Sequence, residues 1–221
     1  MLFVDAALPF GVRSAPKIFT AVADALEWMV EQEGVCSIMH YLDDFLLVGT
    51  PDGQDCTQSL DTFLTVCDRL GVPIAWDKLV GPTTVLTFLG IEIDTQSMQL
   101  RLPEAKLREL RELTTLWKDK RSCKRKELES LVGKLQFACA VVKPGRTFLR
   151  HLFELLSVTR KDHHYIALRG AAKSDIIWWD TFLELWNGVS LIPAGVPMHT
   201  SHHVFMDASG GTGCGAIWGR Q

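Results

Sequence analysis

The sequence has no long apolar run. Its hydrophobic stretches are broken by Asp, His or Lys well short of the ~20 residues that a membrane-spanning helix needs. It does not open like a secretory signal either, because Met1-Leu2-Phe3-Val4-Asp5 has neither a basic start nor an extended apolar segment. Both absences lead us to expect an intracellular protein that is not secreted. Close cysteine pairs are also missing. Cys36, Cys56, Cys67, Cys123, Cys139 and Cys214 are widely scattered without a C-x-x-C, which excludes the usual zinc and dithiol motifs and predicts reduced, mostly buried thiols. His163-His164 and His199 with His202-His203 could be drawn as a metal cluster, but they fall in predicted linkers, where solvated histidines are the plainer reading. There is no internal repeat and no low-complexity segment. With 221 residues, 47% of them apolar, the chain can bury the core of one or two domains.

Charge is present in abundance and is unevenly placed. The formal net charge of −3 conceals 4 Lys/Arg against 14 Asp/Glu in residues 1–100, and 18 against 8 in residues 101–173. An acidic first part suits a cation site, and a basic middle suits polyphosphate. Solvated helix faces would account for many individual lysines, but not for the segregation.

Hydrophobic periodicity gives the element order. Pro16 opens a helix whose apolar positions Ile18, Phe19, Val22, Leu26, Met29 and Val30 recur at helical spacing, and Gly34 closes it. Val35–Leu42 reads as a strand, Asp43-Asp44 as a tight turn, and Phe45–Val48 as the returning strand. Leu60, Phe63, Leu64, Cys67 and Leu70 mark a second helix, closed by Gly71. Strands are expected at Val72–Trp76, Val85–Ile93 and Met98–Leu102. From Pro103 the pattern becomes helical, with stripes at Leu107, Leu110, Leu113 and Trp117, then Leu128, Leu131, Leu135 and Ala138, then Phe148, Leu149, Leu152, Leu155 and Leu156. A fourth helix, Ala171–Trp186, should turn Ile177, Trp178, Phe182 and Leu185 inward. A Pro/Gly-rich linker, Ile192–Pro197, leads to a strand, His203–Met206, with Asp207 at its end. The fold class is therefore α+β.

The strongest chemical signal is Tyr41-Leu42-Asp43-Asp44 between two apolar strands. Two adjacent carboxylates at a hairpin tip repel each other unless a cation compensates, and hard oxygen ligands are what Mg²⁺ prefers. A bare Asp-Asp pair would be read as an ordinary turn. Here it follows Leu8-Pro9-Phe10-Gly11-Val12-Arg13-Ser14-Ala15-Pro16 and precedes Trp76-Asp77-Lys78, Phe88-Leu89-Gly90-Ile91 and Leu131-Val132-Gly133-Lys134-Leu135-Gln136-Phe137-Ala138. In that order these blocks resemble the consecutive motifs of reverse transcriptases, RNA-directed DNA polymerases and hence nucleotidyltransferases. The first block looks most like those of LTR and DIRS-like retrotransposons.

The resemblance implies roles. Asp43 and Asp44 would be catalytic ligands of Mg²⁺. Phe10 and Gly11 would line the nucleotide pocket, and Lys78 would lie near the incoming deoxynucleoside triphosphate. Arg13 would approach the template, and Tyr41 the primer end. Phe88, Leu89 and Gly90 would grip the primer, and Lys134 would lie on a thumb helix along the template–primer duplex. Val204-Phe205-Met206-Asp207-Ala208-Ser209 with Gly213-Cys214-Gly215-Ala216-Ile217-Trp218 resembles the opening hairpin of ribonuclease H, in which Asp207 would be a catalytic metal ligand of a second site. A phosphate-cradling glycine loop is the rival reading there, but it requires a following helix. The implied organisation is a partial palm over 1–102, a helical thumb and connection over 103–191, and a linker with a truncated ribonuclease-H-like β-hairpin over 192–221. The family's palm also uses an aspartate on a strand well upstream of Leu8, and only seven residues precede Leu8. The expectation is a fragment inactive by itself, self-associating or bound to a partner that supplies the rest of the palm. The alternative is a non-catalytic nucleic-acid-binding or protein-interaction remnant of a retrotransposon.

Overall fold

The structure, a computed structural model, describes residues 8, 11–50, 54–158, 164–191, 202–209 and 213–220, the last two stretches by backbone alone. The first helix, α1, spans Ala15–Gln32 with Pro16 in its first turn, where the missing N–H is no loss. Gly34 follows it at φ 97°, the left-handed conformation that ends helices. Only Ala23, Leu26 and Val30 of α1 are buried, and the earlier members of the predicted stripe, Ile18, Phe19 and Val22, stay exposed. The hairpin β1 (Ile38–Tyr41) and β2 (Asp44–Leu47) follows, then α2 (Gln54–Leu70), which Gly71 closes at φ 69°. Leu26, Val30, Val35, Ile38, Phe63, Val66 and Cys67 make one small core between α1, the hairpin and α2.

Two predicted strands change on folding. Val72–Trp76 forms no strand, and Pro73 has no N–H to give a ladder. Val85–Ile93 is two strands, β3 (Val85–Phe88) and β4 (Ile91–Asp94), because Leu89 and Gly90 turn the chain with φ 49° and 77°. Two positive φ values mark a tight hairpin turn, which a continuous apolar run conceals. β5 (Gln99–Arg101) completes the meander, and the order of this sheet is β3-β4-β5-β8.

After Pro103 the chain forms α3 (Glu104–Asp119), β6 (Ser122–Lys124), α4 (Arg125–Ala138), a 3-10 turn over Lys143–Leu149, α5 (Arg150–Val158), β7 (Tyr165–Ala167), α6 (Ala171–Leu185) and β8 (Val189–Ser190). Their shared core holds Leu128, Leu131, Leu135, Leu152, Ile176, Trp179 and Leu183, all essentially inaccessible. Each contributes about 1.5–3 kcal/mol of burial. Asp180 ties α6 to α3 through Thr115 and Lys118, each at 2.8 Å.

The predicted inward stripe of α6 is displaced by one residue. Ile176, Trp179 and Leu183 point inward, Ile177 is exposed, and Leu185 is 91% exposed. Ile176-Ile177 and Trp178-Trp179 are apolar pairs, so periodicity alone could not select between neighbours. Trp179 takes the core because its indole N–H donates to the Phe148 carbonyl at 3.1 Å. Trp178 and Phe182 instead flank the core in a stacked row with Phe148.

Residues on both sides of position 102 share one sheet, since β8 pairs with β5 through Leu100 and Val189. The Asn187 side chain both donates to and accepts from the Leu102 backbone, at 2.9 and 3.0 Å. Further on, β9 (His202–Ser209) and β10 (Gly213–Arg220) form an antiparallel hairpin. Asp207 lies within β9 opposite Gly215, not at a strand end, because pairing continues through Ala208 and Ser209. His202 and His203 belong to this strand and not to a linker. His163, His199 and the linker Ile192–Pro197 lie outside the described residues. Of the cysteines, Cys67, Cys123 and Cys139 are buried free thiols, Cys56 is half-buried and Cys36 is exposed. Burial pushes the thiols of Cys123 and Cys139 up to about 11, so both are inert at neutral pH.

Candidate functional site

The β1–β2 hairpin carries the paired carboxylates. Tyr41 and Asp44 are its last opposed residues, so the loop is Leu42-Asp43 and not Asp43-Asp44. Leu42 takes φ 55°, a left-handed conformation unusual for a leucine. Positive φ at the first loop position alone is the II′ pattern, whose twist suits a two-residue hairpin. Asp43 therefore sits in the loop and Asp44 starts the strand, and both are exposed, as is Tyr41.

Sequence reasoning missed what lies behind the hairpin. His40, with a side chain only 8% exposed, hydrogen-bonds Glu27 through Nδ1, and its Nε2 lies 3.4 Å from Asp24 Oδ1. Its ring centroid is 5.3 Å from that of Phe45, which in turn packs on Phe63. The residue that precedes Tyr41 thus anchors the hairpin to α1 on one side and α2 on the other. Alternation across a strand is the signal that could have found it. With Tyr41 outward, His40 must face the protein.

Asp43, Asp44, Lys78, Phe88 and Leu89 line a single open cleft of about 560 Å³. Its walls are otherwise mostly apolar, from Phe19 and Val22 on α1 and from the segment around Val72–Thr83. Asp43, Asp44 and Lys78 are the charged side chains lining it. Lys78 is placed by a turn in which its N–H donates to the Ala75 carbonyl at 2.9 Å, and it makes no ion pair among the described residues. The structure therefore brings the hairpin, Lys78 and the Leu89-Gly90 turn together.

The far side of that turn meets the helical part. Lys106 Nζ donates to the Gly90 carbonyl at 3.4 Å and lies 4.3 Å from the centre of the Phe137 ring. A Cβ at Gly90 would stand 2.2 Å from that Nζ. Leu102, Lys106, Gly133, Lys134 and Phe137 border a smaller pocket of about 280 Å³. Lys134 pairs with Glu109 at 2.5 Å, and this hydrogen bond lowers the Glu109 carboxyl below its usual range. Gly11 (φ 86°) and Arg13 are exposed and do not line the cleft. Phe10 lies outside the described residues, and Asp207 is placed only by its backbone.

Two adjacent carboxylates offer the hard oxygen donors that a divalent cation takes. Among the described residues no group of three His, Cys, Asp or Glu side chains is arranged to hold a metal ion. In donor type Asp43 and Asp44 fit such an ion, and in number they form part of a ligand set.

Residues 2–93 match the family described as reverse transcriptase (RNA-dependent DNA polymerase). No curated protein matches the chain. Among solved structures it is similar to the foamy viral protease-reverse transcriptase in complex with dsDNA, with a TM-score of 0.61 and 19% identity over 96% of this chain and 42% of that one. It is similar to the same protein in complex with RNA/DNA hybrid, with a TM-score of 0.62 and 18% identity over 95% of this chain and 28% of that one. A third structure, the foamy viral protease-reverse transcriptase dRH with ds DNA, gives a TM-score of 0.60 and 17% identity over 93% and 35%. At these identities the likeness is one of fold, and it extends well beyond the segment that the family match covers. The chain spans less than half the length of each of these proteins.

Proposed function

We propose that the chain is the palm, thumb and connection portion of a retrotransposon reverse transcriptase, of the LTR or DIRS-like kind, entering a ribonuclease H domain at residue 192. The observation that carries this reading is the shared cleft, in which Asp43 and Asp44 face the same space as Lys78 and the Leu89-Gly90 turn. Asp43 and Asp44 would hold Mg²⁺ as part of its ligand set. When bound, the metal supplies activation of a primer 3′-hydroxyl and stabilisation of the leaving pyrophosphate. Lys78 attracts the triphosphate of the incoming nucleotide by charge. Phe88, Leu89 and Gly90 position the primer end, with Tyr41 beside it, while Phe10, Gly11 and Arg13 serve the nucleotide and template side. Asp207 belongs to the separate nuclease site.

The duplex partner follows from the basic segment 101–173 and from α4. Lys134 reaches a phosphate by exchanging Glu109 for it. Contacts of Lys and Arg to phosphates give affinity without sequence preference. The test is a titration of labelled duplex at several salt concentrations. Lys134→Ala should weaken binding equally across sequences and reduce the slope of log affinity against log salt by about 1. Binding indifferent to salt would end this reading. A non-catalytic nucleic-acid-binding role is the second reading, favoured by the excess of 18 Lys/Arg over 8 Asp/Glu in 101–173. It predicts the same binding with no dependence on Asp43 or Asp44 in any reaction.

A further inference from the structure

The inner face of the β1–β2 hairpin is apolar at every position but one. Ile38, Phe45 and Leu47 pack into the core shared with α1 and α2, and His40, opposite Phe45 in the ladder, is the exception. Its side chain is only 8% exposed. The ring donates through Nδ1 to the Glu27 carboxylate, and Nε2 lies 3.4 Å from Asp24 Oδ1. Taking a polar ring and its carboxylate partner out of water is costly, and an apolar side chain of similar size would fill the same place without that cost. Packing of the hairpin alone therefore does not call for a histidine.

A hydrogen bond supplies what apolar contact lacks. Burial is non-directional, whereas an N–H bonded to a carboxylate fixes both distance and angle. Asp24 and Glu27 stand three residues apart on α1, the spacing of neighbours on one helix face. The ring meets this acidic pair on one side. On the other it lies 5.3 Å from the Phe45 ring, which is 5.1 Å from Phe63 of α2. One side chain thereby ties β1 to both helices.

The place of this tie along the hairpin matters. His40–Phe45 is the next-to-last opposed pair and Tyr41–Asp44 the last, a step of about 3.4 Å along a strand. Beyond the tie, Tyr41, Asp43 and Asp44 are exposed, and none makes a side-chain hydrogen bond or ion pair among the described residues. The His40–Phe45 pair is thus the last point at which side chains hold the hairpin before the paired carboxylates. The helix on which His40 is fixed also supplies Phe19 and Val22 to the cleft that Asp43 and Asp44 line. Metal ligands act together only when they are held to within about 0.5 Å by the residues that support them.

We propose that His40 is a positioning residue of the metal site: clamped by Glu27 and Asp24, it fixes how the hairpin stands on α1 and so sets the affinity of Asp43 and Asp44 for a divalent cation. This rests on the reading that the two aspartates bind such a cation, and the test separates the two. Mn²⁺ is titrated into the 221-residue chain, and its affinity is read from the paramagnetic broadening of the Tyr41–Phe45 amide signals. The proteins compared are the wild type, His40→Leu, His40→Gln and Glu27→Ala, with the melting temperature measured on each. Leucine fills the apolar face without a hydrogen bond, and glutamine restores a donor. His40→Leu should melt no lower than the wild type. Its affinity for Mn²⁺ should fall at least about fivefold, less than the roughly 10–100-fold lost when a direct partner of a metal ligand is removed. His40→Gln should recover most of that loss. Glu27→Ala removes the clamp from the helix side, should act in the same direction, and replaces His40→Leu if that variant does not fold. A folded His40→Leu or Glu27→Ala that binds Mn²⁺ like the wild type refutes the role of His40 and leaves the metal reading intact. A loss that glutamine does not restore overturns the hydrogen bond as its cause. If the wild type itself shows no broadening at the hairpin, both readings fall.

Discussion

Tyr41 and Asp44 oppose each other as the last pair of the β1–β2 hairpin, leaving Leu42 and Asp43 as the whole loop. Two neighbouring carboxylates are thereby split between a loop and a strand end, both reaching solvent. Exposed groups of this kind carry little folding energy. Asp43→Asn and Asp44→Asn should each leave stability within about 0.5 kcal/mol of wild type in urea unfolding. The same changes should abolish binding of Mn²⁺ at the hairpin, read by its paramagnetic broadening of nearby amide signals. Broadening that survives in both variants would place the cation elsewhere. With two carboxylates in the cleft, the 221-residue polypeptide alone should incorporate no nucleotide on a primed template. Robust incorporation that disappears in Asp43→Asn would overturn that expectation.

The order of the helices was legible from residue spacing, and so was the switch at Pro103, because both depend on period and on Gly or Pro at element ends, whereas the two- and three-residue strands β6, β7 and β8 are too short to show a period. Gly34 and Gly71 closed their helices where the sequence placed them. What stayed hidden depended on choices between equals. The turn slipped by one residue because Leu42 accepts a left-handed conformation that leucine rarely adopts. The stripe of α6 slipped by one because both members of its Ile-Ile and Trp-Trp pairs are apolar. His40 was invisible for another reason: its role depends on Asp24 and Glu27, thirteen or more positions away and meaningful only once α1 lies against β1. The common cleft of Asp43, Asp44, Lys78 and Leu89 could be expected from resemblance, but not from spacing.

Close packing around Trp179 gives a second prediction. A Cβ at Gly145 would lie 2.4 Å from the Trp179 ring and 3.1 Å from Cys139 Sγ. The ring cannot move without losing its bond to the Phe148 carbonyl. Gly145→Ala should therefore destabilise the protein by about 1–3 kcal/mol. The urea midpoint should fall while the slope of the transition holds. An unchanged midpoint would mean that this core is looser than its geometry indicates.

Acid should act through Asp94. Its carboxylate accepts the backbone N–H of Ser97 at 2.9 Å and that of Gln96 at 3.0 Å, and pairs with Arg101 at 2.7 Å. The bond from Ser97 foremost, with help from Arg101 and Gln96, lowers the carboxyl from 3.8 to about 2. The folded state thus favours the ionised form. That stabilisation is complete above about pH 4 and is lost as pH falls toward 2. Asp94→Asn should lower the melting temperature at neutral pH, and the gap from wild type should close as pH falls through that window. A gap constant from pH 7 to pH 2 would assign the loss to packing instead of charge.

The last expectation concerns the surface that α1 and the hairpin leave open. Ile18 and Val22, one turn apart on α1, are 49% and 60% exposed, and Met39 and Val48 of the hairpin region are about half exposed. Among the described residues β1 and β2 form a sheet of two strands only, so each has an outer edge without a strand partner. Unpaired backbone groups beside apolar side chains are a template for another chain. The 221-residue polypeptide should therefore self-associate, its scattering mass rising with concentration in the micromolar range. Ile18→Lys combined with Val22→Lys places charge on the exposed helix face without touching the core of Leu26 and Val30, so it should lower the associated fraction and leave the melting temperature nearly unchanged. If the double variant associates as strongly as the wild type, the sheet edge and not the helix face drives the contact. A wild-type monomer that persists at high concentration would show that these apolar side chains are tolerated singly in water, as scattered surface residues commonly are.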